Sequence, residues 1–229
     1  MNYDAVVFDM DGVLLERTPA HVFDDAVDRT LSTNDLLELP EEEYQRIRSI
    51  TTDSRTDFVA FSEKHGIDPE KLYATRANVI ADGQKRVVEN GEKALFEDSA
   101  VLDSLSVEMG IVSNNQQEMV DWIVDYFGWD ARLAQWSGME TTLEAFDRKK
   151  PNPVSLTDML ETLGARTAIY VGDRESDIVT ARRAGVDSAL IERSYNEHLV
   201  FEEQPTYTLE SLHELEDLVD GSPRRTVTE

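Results

Sequence analysis

The feature that most constrains this chain is an interval. A short apolar run, Ala5-Val6-Val7-Phe8, ends at Asp9-Met10-Asp11-Gly12, and no second strand pattern begins until Val107. The run is brief, β-branched and followed by a turn signal, so it reads as a buried strand. Between Thr18 and about Asn90 the periodicity is helical, over Ala20–Leu31, Glu41–Ile50, Arg55–His65 and Asp68–Val88, with Pro40, Gly66 and Pro69 as punctuation. Roughly 75 helical residues are far more than a βα connection needs. They read as a second, smaller domain inserted after the first strand.

Beyond the interval, strands and helices alternate. Val107–Ser113 precedes a helix over Gln116–Phe127, and a weaker strand falls near Leu133–Trp136. Asn152-Pro153 opens a helix to Leu163 that Gly164 ends. Ala168–Val171 is a strand, Asp177–Ala184 a helix stopped by Gly185, Ser188–Ile191 a strand, and about Leu209–Val219 a closing helix. Such alternation predicts an α/β fold: a Rossmann-like parallel sheet with right-handed crossovers and helices on both faces. The expected boundaries are 1–16 and 92–221 for this core, 17–91 for the helical insert and 222–229 for a flexible tail.

Composition narrows the partners. The 229 residues include 47 acidic against 22 basic, for a formal charge of −25, and no cysteine. Phosphate backbones need a basic footprint, so nucleic acid is excluded, and anionic membranes are disfavoured. Disulfides, thiolate nucleophiles and cysteine metal sites are excluded outright. No apolar run reaches the ~18 residues of a membrane span and no signal-peptide pattern opens the chain, which predicts a cytoplasmic protein, monomer or homodimer. The acids are spread along the chain, and only 6 of the basic residues are lysine against 16 arginines. A hydrated, lysine-poor acidic surface predicts a salt-rich, halophilic setting.

In an open parallel sheet, ligands bind beyond the carboxyl ends of the strands. Four motifs fall there: Asp9-Met10-Asp11-Gly12-Val13, Ser113-Asn114-Asn115, Lys150-Pro151, and Gly172-Asp173-Arg174-Glu175-Ser176-Asp177. Clustered carboxylates repel one another unless a cation joins them, and oxygen-only ligands suit Mg²⁺. Lys150, Ser113 and main-chain N–H groups around Met10–Gly12 and Asn114 suit a phosphate. One aspartate could attack phosphorus, and a second, two residues on, could exchange a proton with the leaving alcohol and then with water. Taken singly, each residue also has a plain structural reading as a cap, turn or solvated charge. His21, His65, His198 and His213 show no ligand spacing. Trp122, Trp129 and Trp136 read as packing residues, as do Tyr126 and Phe127.

Together, in this order, the motifs resemble the haloacid dehalogenase superfamily of hydrolases, over about residues 3–16 and 92–220. The resemblance implies that Asp9 is the nucleophile and Asp11 the general acid/base. It implies that Asp9, the main-chain carbonyl of Asp11, and Asp173 hold Mg²⁺, with Asp177 acting through water or orienting those ligands. Ser113, Asn114 and Lys150 would bind phosphate, with Lys150 rather than Lys149 in the lysine role. The insert resembles the family's helical cap, and only about 37 positions separate Ser113 from Lys150, too few for a second cap there. The implied activity is Mg²⁺-dependent hydrolysis of a small phosphorylated metabolite, phosphoglycolate being the generic guess for a capped member of this size. Asp11 argues against dehalogenation. Lys64, Lys71 and Lys85 match no phosphonatase pattern, and Glu175 reads as a helix N-terminal charge. Arg55 reads as a surface ion pair and Thr18 as a residue near the entrance. Two other functions stay open: phosphoglucomutase-type phosphotransfer, and a non-catalytic phosphate-binding or signalling module.

Overall fold

The structure, a computed structural model, describes residues 3–36, 38–49 and 55–221. The predicted tail lies outside the described residues, as do Thr51–Ser54 before Arg55. Six strands form one parallel sheet in the order β3-β2-β1-β4-β5-β6. They are β1 Ala5–Phe8, β2 Glu108–Gln116, β3 Gln135–Met139, β4 Ala168–Gly172, β5 Asp187–Ile191 and β6 Tyr207–Leu209. β1 is central: Val6 lies beside Met109 on one side and Ile169 on the other.

The period-two rule of a strand accounts for the layers. Val6 and Phe8 share one buried cluster with Ile111, Ile169 and Val171, covered by Met119 and Ile123 of α5 (Gln117–Tyr126) and Leu215 of α8 (Glu214–Val219). Ala5 and Val7 point the other way, with Val112, Ala168 and Tyr170. They meet Leu156 and Met159 of α6 (Val154–Leu163) and Ala181 of α7 (Glu175–Ala184). All four β1 side chains are fully buried. At ~1.5–3 kcal/mol for each large apolar side chain, this two-sided burial is what requires an unbroken apolar run.

Four helices intervene between β1 and β2: α1 Ala20–Thr33, α2 Glu41–Ser49, α3 Arg55–Lys64 and α4 Pro69–Glu89. Asp68 caps α4 by accepting the Lys71 N–H at 3.0 Å, with Pro69 in the first turn. The insert has its own apolar cluster of Val27, Leu31, Phe58, Phe61, Leu72 and Tyr73. Its two connections to the sheet are zipped together: Glu16 N–H donates to the Ala94 carbonyl at 2.9 Å, and Phe96 N–H to that of Leu14 at 3.1 Å. Among the described residues no helix is long and apolar enough to cross a membrane.

Two elements differ from expectation. The strand read near Leu133–Trp136 is shifted to Gln135–Met139, because Leu133 is drawn into the sheet core behind a 3₁₀ turn at Trp129–Ala131. The closing helix begins only at Glu214. Residues Tyr207–Leu209 are instead the edge strand, paired in register with Ala189–Ile191. Tyr126 is half exposed rather than core, stacked on Trp122.

Candidate active site

Because all six strands are parallel, their carboxyl ends open on one edge, and the motif residues converge there. Asp9 follows β1, Ser113 lies in the last half of β2, Asp173 follows β4, and Lys150 leads into α6. Lys150 Nζ is 2.9 Å from Asp9 Oδ1 and 2.7 Å from Asp177 Oδ1, and donates to Tyr170 Oη at 3.0 Å. Burial works against the ammonium, yet Asp177 and Asp9 outweigh it and hold Lys150 protonated well above the usual lysine range. The same burial pushes the Asp9 carboxyl up to about 7, Lys150 opposing while Asp177 and Asp173 add to it. Asp173 is also raised, first by burial and then by Asp177, with Arg17 pulling it back.

The three carboxylates of Asp9, Asp173 and Asp177 bring ligand oxygens within 4.8 Å of one another. Asp173 is fully buried, and its Oδ1 accepts no hydrogen bond. Crowded, buried carboxylates, one of whose oxygens accepts no hydrogen bond, fit a hard divalent cation, because a cation offsets the burial and the neighbouring charge that raise the Asp9 and Asp173 carboxyls. The other Asp173 oxygen, Oδ2, accepts Arg17 Nε–H at 2.9 Å and Nη2–H at 2.6 Å, and Tyr195 O–H at 3.0 Å. Arg17 also stacks on the Tyr195 ring at 3.7 Å, and Asn196 Nδ2–H donates to the Asp173 carbonyl at 3.0 Å. Close packing sets the glycines of both aspartate motifs: a Cβ on Gly172 would lie 2.1 Å from Asp177 Cβ.

Asp11 is turned away from this cluster. Its side chain pairs with Lys93 through Oδ1 and accepts Asn115 Nδ2–H on Oδ2 at 2.9 Å. Ser113 is buried and its Oγ accepts the Asn115 N–H at 3.1 Å, while Asn114 Oδ1 accepts the Lys150 N–H at 3.0 Å. A cavity of about 270 Å³ joins the set, with Asp9, Asp11, Ser113 and Lys150 on its sheet side. The insert supplies Phe23, Tyr73, Ile80 and Gln84 opposite, and Thr18 lies in the wall as expected of a residue near the entrance.

Other sequence readings resolve simply. Glu175 accepts the Glu202 and Glu203 N–H groups at 2.7 and 3.0 Å and stays out of the acidic cluster. Arg55 makes an exposed pair with Asp147 at 2.8 Å. Lys64 and Lys85 pair with Glu43 and Glu118. Sequence reasoning missed Arg17, Gln84, Lys93 and Tyr195. Only the position of Arg17 and Lys93 at the two ends of the insert was a signal.

A parallel α/β sheet with an acidic cluster and a buried lysine at its carboxyl edge, under a helical insert, defines a class of hydrolase. The chain belongs to the haloacid dehalogenase-like hydrolases, whose family model matches residues 6–191. A phosphoglycolate phosphatase of Xanthomonas campestris pv. campestris is 29% identical over 195 residues, which is 80% of this chain and 80% of that protein. An N-acetylmuramic acid 6-phosphate phosphatase of Pseudomonas aeruginosa is 25% identical over 199 residues, 85% of this chain and 84% of that one. Among solved structures, CbbY from Rhodobacter sphaeroides in complex with phosphate shares the fold with a TM-score of 0.67 at 18% identity, over 93% of this chain and 96% of that one.

Proposed function

We propose that this protein is a Mg²⁺-dependent phosphatase that hydrolyses a small phosphorylated metabolite through an aspartyl-phosphate on Asp9. The observation that carries the reading is the placement of Asp9: a buried carboxylate 2.9 Å from the Lys150 ammonium, within the three-carboxylate cluster and two residues from a second cavity-lining aspartate. Asp9, Asp173 and the main-chain carbonyl of Asp11 would hold Mg²⁺, with Asp177 beside them. The ion supplies charge neutralisation for the phosphoryl group. Lys150 and Ser113 bind phosphate oxygens, and Asn114 fixes the Lys150 main chain.

An Asp9 carboxylate oxygen forms a bond to phosphorus as the bond to the leaving oxygen breaks. That oxygen keeps the electron pair and takes a proton from Asp11. Water then bonds to phosphorus, gives its proton to Asp11, and returns the pair to the Asp9 carboxylate. The insert closes the cavity over the leaving group, and Phe23, Tyr73 and Ile80 give that side an apolar wall. The relatives' names make phosphoglycolate the first substrate to try, and the acid excess supports a salt-rich cytosol as the working medium.

The test is hydrolysis of p-nitrophenyl phosphate with Mg²⁺ and with EDTA. Activity should vanish with EDTA, and Asp9→Asn should lower kcat by several orders of magnitude. Full Mg²⁺-dependent turnover by Asp9→Asn would refute the reading.

A further inference from the structure

Lys93 and Lys150 are the two buried lysines among the described residues. The chemistry above uses only Lys150. The Lys93 side chain is fully buried, and its three N–H donors have three acceptors: Asp11 Oδ1, Thr18 Oγ1 at 3.1 Å and Gln84 Oε1 at 3.3 Å. These partners come from separate segments. Asp11 follows β1, Thr18 is on the connection into the insert, Gln84 is on α4, and Lys93 is on the connection back. Gln84 ties the set together, since its Oε1 also accepts from Thr18 Oγ1–H at 3.0 Å and Asn115 Nδ2–H at 2.8 Å. Asn115 in turn donates to Asp11 Oδ2. Both oxygens of the Asp11 carboxyl group are therefore held, one by Lys93 and one by Asn115.

Neutralising Asp11 does not require this arrangement. The Asp11 side chain is 23% exposed and lines the cavity, so solvent can reach its charge without a lysine. Burying an ammonium is costly and is tolerated only where its donors are all satisfied. What the buried ammonium adds is direction.

We propose that Lys93 is the positioning residue for Asp11. Lys93 holds Oδ1 whether Asp11 carries a proton or not, because a carboxylic acid carbonyl and a carboxylate both accept from an ammonium. Oδ2 is then the oxygen that gives the proton to the leaving alkoxide and takes it back from water. Through Gln84, that alignment depends on the position of α4, so the acid/base is aimed only when the insert is seated. The inference rests on the proposed role of Asp11.

The experiment compares two substrates by kcat/KM, which reports the first half-reaction. An alkyl phosphate needs its leaving oxygen protonated, whereas p-nitrophenyl phosphate releases a stable phenolate without help. Asp11→Asn is the reference and should lower kcat/KM for the alkyl phosphate by about 10² or more while lowering p-nitrophenyl phosphate much less. Lys93→Met, close in shape, should reproduce that skew, and Gln84→Leu should reproduce it more weakly. Equal losses on both substrates in Lys93→Met, or no loss on either, overturn the inference while Asp11→Asn remains skewed and the phosphatase reading stands. No skew in Asp11→Asn overturns the acid/base role and the inference with it. Thermal melting of each variant checks the fold. If Lys93→Met does not fold, Lys93→Gln keeps an uncharged amide donor group and must show the same skew at reduced size, and equal losses there are equally decisive.

Discussion

At the scale of single residues, the site depends on atoms that are missing as much as on atoms present. Gly12 has φ +87°, and a Cβ there would lie 2.3 Å from Asp173 Oδ2 and 2.7 Å from Tyr195 Oη. Gly12→Ala therefore adds backbone strain to a clash with a metal-binding candidate. It should lose about 2 kcal/mol or more in urea unfolding and weaken Mg²⁺ binding in titration calorimetry. A second residue reports on pH. The Asp4 Oδ2 accepts the Arg166 and Thr167 N–H groups, both at 2.9 Å, and these bonds hold its carboxyl below the usual range. A depressed folded-state pKa contributes stability that is present above the unfolded pKa and lost as pH falls through the folded one. Asp4→Asn should flatten the acid limb of a melting-temperature profile, with no change in its slope near neutrality. The clustered aspartates Asp9 and Asp173 were legible in the sequence because a carboxylate at the end of an apolar strand has few structural reasons to be there. Lys93 was not, because a lysine 82 positions from Asp11 looks like any solvated charge until the insert folds back and buries it.

At the scale of elements, helices and strands with strong periodicity were legible to within a few residues, and short elements were not. The edge strand Tyr207–Leu209 has only three residues, too few for a period to show, and depends on pairing with β5. The 3₁₀ segment Leu143–Arg148 was invisible for a related reason: its apolar residues serve another unit. Leu143 and Phe146 leave the sheet side and enter the apolar cluster of the insert, where the Phe146 ring lies 4.9 Å from that of Tyr73. Glu70 of α4 accepts the Leu143 N–H at 3.1 Å, and Lys149 lies over the Phe146 ring at 4.6 Å. The segment therefore connects the cavity wall at Tyr73 to the residues leading into Lys150. Phe146→Ala should cost about 2–4 kcal/mol in urea unfolding, since the ring is nearly buried. If the segment also seats the insert, KM for the phosphate ester should rise more than kcat falls, and unchanged kinetics with the stability loss intact would leave Phe146 a packing residue alone.

At the scale of the whole molecule, the −25 charge and a cavity proposed to take a phosphate ester pull in opposite directions. The cavity resolves this locally by placing Arg17, Lys149, Lys150 and Arg174 in a wall whose acids are Asp9 and Asp11. Elsewhere the surplus acids repel one another, and the self-repulsion destabilises the compact state. The ion pairs between insert and sheet oppose it weakly. Arg55–Asp147 and Lys85–Glu118 are exposed, and such pairs contribute ~0–1 kcal/mol each and fade as salt screens them. Two salt effects thus compete: screening relieves repulsion over the whole surface and loosens a few attractive pairs across one interface. The surplus of acidic over basic residues far outnumbers those pairs, so the first effect wins. The urea midpoint should rise from low to molar KCl, whereas a midpoint that fell with KCl would show that the attractive pairs dominate and would remove the case for a salt-rich setting. Activity should follow a different course, because screening also weakens the attraction between the cavity cations and a phosphate ester. KM should therefore increase with KCl over the same range in which stability improves. Measuring both on one preparation separates the two contributions, since a change in fold would move kcat and the urea midpoint together.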